Sequence, residues 1–205
     1  MYTAFVIRAG ETDFDVEERI QGALDLPLNA HGRKQASQLV EELRTLKLET
    51  IFTSPSQPAL ATAEILSDAL GVPLKELAGL TNMDQGLWQG MLMSDLRRKH
   101  PRVYKQWEEA PESVCAPAGE SCGAAAERVE QALKKPMRRA KRFAVVVSEP
   151  LASLVACVLQ GNDVERIPGP PTGHDLAGTV EVVDQAASDD TAVPATFDST
   201  DLIGF

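Results

Sequence analysis

The sequence predicts a three-layer α/β/α sandwich with a mostly parallel central sheet. Three observations carry that prediction. Short apolar runs of strand length alternate with longer segments whose apolar residues recur at helical spacing. The run Phe143-Ala144-Val145-Val146-Val147 shows no polar alternation, as expected of a parallel strand covered on both faces. The chain has 205 residues, 43% hydrophobic and 24% charged, which is enough length to bury a single core.

The elements follow in order. Ala4-Phe5-Val6-Ile7 reads as a buried strand that runs into a loop at Arg8-Ala9-Gly10. Asn29 is a candidate helix cap, and Ala36, Leu39, Val40 and Leu43 behind it fall on one helical face. Thr50–Thr53 is a second strand, stopped by Ser54-Pro55, and Ala59, Ala63, Leu66 and Leu70 make a helical stripe closed by Gly71. Val72-Pro73-Leu74 suits a short edge strand, where proline is tolerated. Residues 90–120 carry little β character and are a candidate lid. A helix is expected from Glu120 to about Lys135, with Ala125, Val129 and Leu133 on its inner face, and Pro136 is expected to bend or end it. After the valine run, Leu151–Leu159 reads as a helix and Val180, Val182 and Val183 as a last strand. In sheets of this kind, sites form at the carboxyl ends of strands. That draws attention to the loops 8–12 and 148–150.

Charge is unevenly distributed. The net charge is −10, with 30 acids against 20 bases. No base follows Arg166, whereas Asp175, Glu181, Asp184, Asp189, Asp190, Asp198 and Asp201 do. The expected organisation is one domain over residues 1–184 and an acidic tail over 185–205, with Phe197, Leu202, Ile203 and Phe205 its sparse apolar residues. Such a balance does not invite nucleic acid. Lys134, Lys135, Arg138, Arg139, Lys141 and Arg142 form a basic run read as a solvated helix end. No apolar run has membrane-spanning length, so no membrane partner is expected. The three cysteines, Cys115, Cys122 and Cys157, are odd in number and contain no C-x-x-C pair. They imply neither a disulfide framework nor a zinc cage, and a cytoplasmic location is expected. His31 belongs to a helix start, and His174 to a surface loop.

Several motifs, in order, resemble those of the histidine phosphatase superfamily of phosphoglycerate-mutase-like type. Arg8-Ala9-Gly10-Glu11-Thr12 resembles the Arg-His-Gly-Glu-Thr signature. Arg19-Ile20-Gln21-Gly22, Asp25, Pro27-Leu28, Gly32 and Gln35-Ala36 fit the segment that follows. Ser54-Pro55, Ala59, Thr62 and Ala63 fit a later block, as do Gly86, Trp88 and Gly90, then Gly119-Glu120-Ser121 and Arg128, and finally Val145–Ser148. The resemblance is clearest over residues 3–160.

It implies a phosphorylated-histidine mechanism in which arginines and a second histidine hold the phosphoryl oxygens and a carboxylic acid protonates the leaving group. On that alignment the nucleophile position is Ala9, the second arginine position Pro58, the acid position Asn82 and the second histidine position Glu149, while Asp15 replaces a phosphate-contacting asparagine. Arg8 is retained. The remnant pocket is expected to comprise Arg8, Gly10, Asp15, Arg19, Gln21, Gly22 and Glu149, with no metal and no cofactor. An Arg8–Glu149 ion pair is expected in place of a bound anion, with Asp15 the candidate second carboxylate. Two unit charges about 4 Å apart interact by roughly 4 kcal/mol at an effective dielectric near 20, so each carboxylate there opposes phosphate.

These readings lead to the expectation of a catalytically inactive pseudoenzyme, not an enzyme. Its role would be regulatory or interactive, through an unknown protein partner or self-association as a homodimer. The alternatives are a weakly active or altered phosphatase or phosphoglycerate-mutase-family hydrolase that uses Glu149 or Asp15 as acid or base, and a non-catalytic small-molecule binder.

Overall fold

The computed structural model describes residues 2–162 and 177–184. The predicted tail, His174 and their proposed roles lie outside the described residues.

A five-stranded mixed sheet organises the molecule. Its strands are β1 (Thr3–Arg8), β2 (Thr50–Thr53), β3 (Leu74–Glu76), β4 (Arg142–Val147) and β5 (Val180–Asp184), in the order β3-β2-β4-β1-β5. The first four pair in parallel and β5 runs antiparallel to β1. The expected three-layer architecture is observed. The helices are α1 (Asp13–Val16), α2 (Ala30–Leu43), α3 (Gln57–Leu70), α4 (Met93–Lys99), α5 (Pro101–Glu109), α6 (Cys122–Arg139) and α7 (Leu151–Gln160).

The unbroken valine run has a direct physical reading. Ala144 and Val146 face a core cluster shared with α2 and α3, including Leu39, Leu43, Ala63 and Leu66. Val145 and Val147 face the opposite cluster, shared with α6 and α7, including Val129, Leu133, Leu154 and Val155. β4 is buried on both faces, so neither set of alternating positions is polar.

Local chemistry sets the helix ends. The Asn29 side chain accepts the Gly32 N–H and so caps α2 as expected. Ser121 caps α6 by accepting from the Ala124 N–H. Gly71 ends α3 at φ +66, a left-handed conformation that glycine adopts without steric cost. Two expectations need correction. α6 does not stop at Pro136 but runs to Arg139. The proline lies near the helix end with its ring buried, so one missing N–H is tolerated. The edge strand starts at Leu74, just after Pro73, whose carbonyl accepts the Ile51 N–H.

Residues 90–120 are largely helical, with α4, α5 and a 3-10 turn at Pro111–Ser113. They build a small third cluster of Ile20, Trp88, Leu96, Trp107 and Ala116. The Trp88 and Trp107 ring centroids are 5.5 Å apart. Among the described residues, no helix is long and apolar enough to cross a membrane.

Candidate active site

β1 and β4 are parallel neighbours in register, Arg8 opposite Val147. Their two exit loops therefore leave the sheet side by side at its carboxyl edge. The Ala9 N–H donates to the Val147 carbonyl at 2.9 Å, and the Gly10 N–H to the Thr62 hydroxyl at 3.0 Å. The Glu11 N–H donates to Gln35 at 2.9 Å, so α2 and α3 both clamp the first loop. Close approach explains its glycine. A Cβ on Gly10 would lie 2.4 Å from the Gly32 carbonyl oxygen, and one on Gly32 would lie 2.2 Å from the Glu11 oxygen.

The pocket between the loops is lined by Arg8, Ala9, Gly10, Asp15, Arg19, Gln21, Gly22 and Glu149, together with Ile20, Gln85, Trp107, Ser148, Pro150 and Ala177. All the residues expected in a remnant pocket are thus brought together, with Ala9 among them. Pro58 and Asn82 are not on its lining. Pro58 is buried in the first turn of α3, where its carbonyl accepts the Thr62 hydroxyl at 2.7 Å. Asn82 is also buried, and its amide donates to the carbonyls of Gly22 and Glu149, both at 2.9 Å. It ties two walls of the pocket together instead of facing into it.

The expected ion pair is present: Arg8 Nε donates to Glu149 Oε1. Both side chains are largely buried, 12% and 16% exposed. The Ser153 hydroxyl donates to Glu149, and the Ser153 N–H at the start of α7 does so at 3.3 Å. The expected second carboxylate requires correction. Asp15 accepts from the Thr12 N–H and hydroxyl, both 2.7 Å, in a capping box that opens α1. The second partner of Arg8 is Glu181 on β5, with Arg8 Nη2 3.3 Å from Glu181 Oε2.

Sequence reasoning missed three contributors, Glu181, Trp107 and Gln85. Glu181 was counted only as part of an acidic C-terminal stretch, and its contact depends on the antiparallel register that places it opposite Val6. Trp107 and Gln85 arrive from the helical segment and the turn before it, with no local motif to mark them. The Ser148 hydroxyl is buried at the end of β4 without a hydrogen-bond partner among the described residues.

Chemically, the pocket offers the Arg8 guanidinium, paired with Glu149 inside it and with Glu181 beyond its lining, a methyl group at Ala9, and amide, hydroxyl and indole groups around them. The carboxylates can accept protons and the guanidinium can donate to an oxyanion. His31 lies outside, on the first turn of α2, 3.4 Å from Glu11.

Comparison with known proteins places this architecture. The model of the histidine phosphatase superfamily (branch 1) matches residues 4–184. The chain is 30% identical over 168 residues to phosphoserine phosphatase 1 of Hydrogenobacter thermophilus, covering 81% of this chain and 80% of that one. It is 35% identical over 133 residues to a protein of Klebsiella pneumoniae named "Probable phosphoglycerate mutase GpmB", covering 65% of this chain and 62% of the relative's length. A solved mycobacterial glucosyl-3-phosphoglycerate phosphatase in complex with VO3 superposes with a TM-score of 0.80 at 23% identity, over 90% of this chain and 93% of that one. That last likeness shows a shared fold. The expectation of an inactive, non-enzymatic protein is corrected by these findings, because the relatives are named as phosphatases and a mutase and so point to an enzyme. With a family match over nearly all the described residues, the chain belongs to the histidine phosphatase superfamily, branch 1.

Proposed function

We propose that the chain is a phosphate-ester hydrolase with altered site chemistry. The observation that carries this reading is the pairing of Arg8 with Glu149 at the carboxyl ends of two parallel strands, in a chain whose family relatives are named for phosphate-ester chemistry. Ala9 presents only a methyl group to the pocket, so the attacking group is water. Glu149 accepts the proton from that water, the new P–O bond forms, the bond from phosphorus to the ester oxygen breaks, and the proton taken up by Glu149 passes to the departing oxygen to give the free alcohol. Arg8 donates to the phosphoryl oxygens as charge develops on them. Asn82 holds the Glu149 backbone and Ser153 holds its carboxylate, which fixes the base relative to Arg8.

The relatives' names support a small phosphate monoester as the substrate class. The test is a panel of phosphoserine, 3-phosphoglycerate and p-nitrophenyl phosphate, with release of inorganic phosphate measured for wild type and Arg8→Met. Turnover by wild type is expected on at least one ester. The variant should lose about 100-fold in kcat/KM, since a hydrogen bond to a charged group contributes roughly 1.5–3 kcal/mol. Absence of turnover on every ester refutes the reading.

A further inference from the structure

Two carboxylates share Arg8, and they are not held alike. Glu149 is anchored: its side chain is 16% exposed, and it accepts from the Ser153 hydroxyl and backbone N–H in addition to Arg8. Glu181 is 36% exposed and, among the described residues, is reached otherwise by the Gln160 amide, at 3.4 Å. Its distance to Arg8, 3.3 Å, is also long for a charge-assisted bond. The position comes from the sheet itself. β5 lies antiparallel beside β1 with Glu181 opposite Val6, and the Arg8 N–H donates to Thr179 just ahead of the strand.

An oxyanion that approaches Arg8 must find free guanidinium N–H groups. Nε is engaged by the anchored Glu149, and Nη2 by Glu181. The carboxylate that can yield is therefore Glu181, since it is the more exposed and has the weaker second contact. Its departure also removes one negative charge from beside the incoming anion.

We propose that Glu181 is a specificity-determining residue of this site: its carboxylate holds Arg8 Nη2 from beside the pocket, and there it competes with an incoming phosphoryl oxygen for the guanidinium and opposes its charge. The consequence is that part of the opposition to a doubly charged phosphate comes from the sheet edge, in addition to that of Glu149. Gln160, at the last turn of α7, donates to the other oxygen of Glu181 at 3.4 Å. This inference rests on the reading of Arg8 as the phosphoryl-binding group, but its readout is affinity and not turnover.

The experiment is calorimetric titration of the full-length chain with inorganic phosphate at low ionic strength, for wild type, Glu181→Gln and Gln160→Ala. Circular dichroism and melting curves check that each variant is folded. Glu181→Gln should bind phosphate about fivefold more tightly, the scale of one half-exposed ion pair, and Gln160→Ala should shift affinity in the same direction by less. Equal affinity in wild type and Glu181→Gln overturns the proposal, and so does undetectable binding in both. Ester turnover measured on the same preparations separates the two claims. Tightened phosphate binding without turnover leaves Glu181 in this role and removes the hydrolase reading. Turnover with unchanged affinity does the reverse.

Discussion

Asn82 shows how one side chain links distant parts of the site. Its amide joins the Gly22 carbonyl to the Glu149 carbonyl, residues 60 and 67 positions away in sequence, and its own oxygen accepts the Met83 N–H at 2.9 Å. Truncation would leave buried carbonyls with fewer donors, at a cost of about 1–3 kcal/mol. Asn82→Ala is therefore expected to lower urea-unfolding stability by that amount and to loosen the Glu149 loop. A change below about 0.5 kcal/mol, the scale of ordinary surface substitutions, would show that the bridge does not bear on stability. The cysteines give a second check at this scale. Burial pushes the Cys122 thiol up from its ordinary value and shields it from reagent, whereas Cys115 is exposed and open to attack. Intact-mass analysis during iodoacetamide treatment should show one fast adduct on the native protein, at Cys115, and three once urea has unfolded it. Equal rates at Cys115 and Cys122 in the folded protein would contradict that burial.

At the scale of elements, the site depends on how closely the first loop packs against the start of α2. Backbone meets backbone there: Gly32 has no room for a methyl group beside Glu11, nor Gly10 beside Gly32. The neighbours are main-chain atoms, which cannot rotate aside. Gly32→Ala should thus destabilise by about 1–3 kcal/mol, the usual range for overpacking, despite alanine's better helix propensity. Because the Gly10 and Glu11 amides are set by that contact, the same variant should lose turnover in the stable fraction. A gain in melting temperature would show that propensity outweighs the clash. The element most resistant to sequence reading was the α4–α5 segment. Its helices are seven and nine residues long, with Pro101 opening the second. Too few turns are present for an apolar periodicity to emerge, and their shared core is only a satellite cluster around Trp88 and Trp107.

For the whole molecule, what was legible followed from burial on two faces. The valine run of β4, the caps at Asn29 and Gly71, and the alternation of strands with helices all express local rules, and together they specify the layers. The Arg8–Glu149 pair was legible for a related reason: Arg8 ends β1 and Glu149 lies in the loop just past β4, and parallel strands bring their carboxyl ends to the same edge. Glu181 was not legible as a partner. Its contact arises from the register of an antiparallel edge strand, which no local pattern encodes. Asp15 was misjudged because a carboxylate three residues after a threonine has a nearer task, the Thr12 capping box. The inference of inactivity was drawn from four family positions, Ala9, Pro58, Asn82 and Glu149, and the naming of the relatives as phosphatases and a mutase overturns it.

The central claim is that water, activated by Glu149, attacks a phosphate ester held by Arg8. It is tested most directly by phosphate release in 18O-labelled water, comparing wild type with Glu149→Gln. Label should enter the released phosphate with wild type, and the rate should fall by about 100-fold or more in the variant, the usual contribution of a positioned base. Release at the same rate from both proteins, or no release from wild type above the uncatalysed background, would contradict the account.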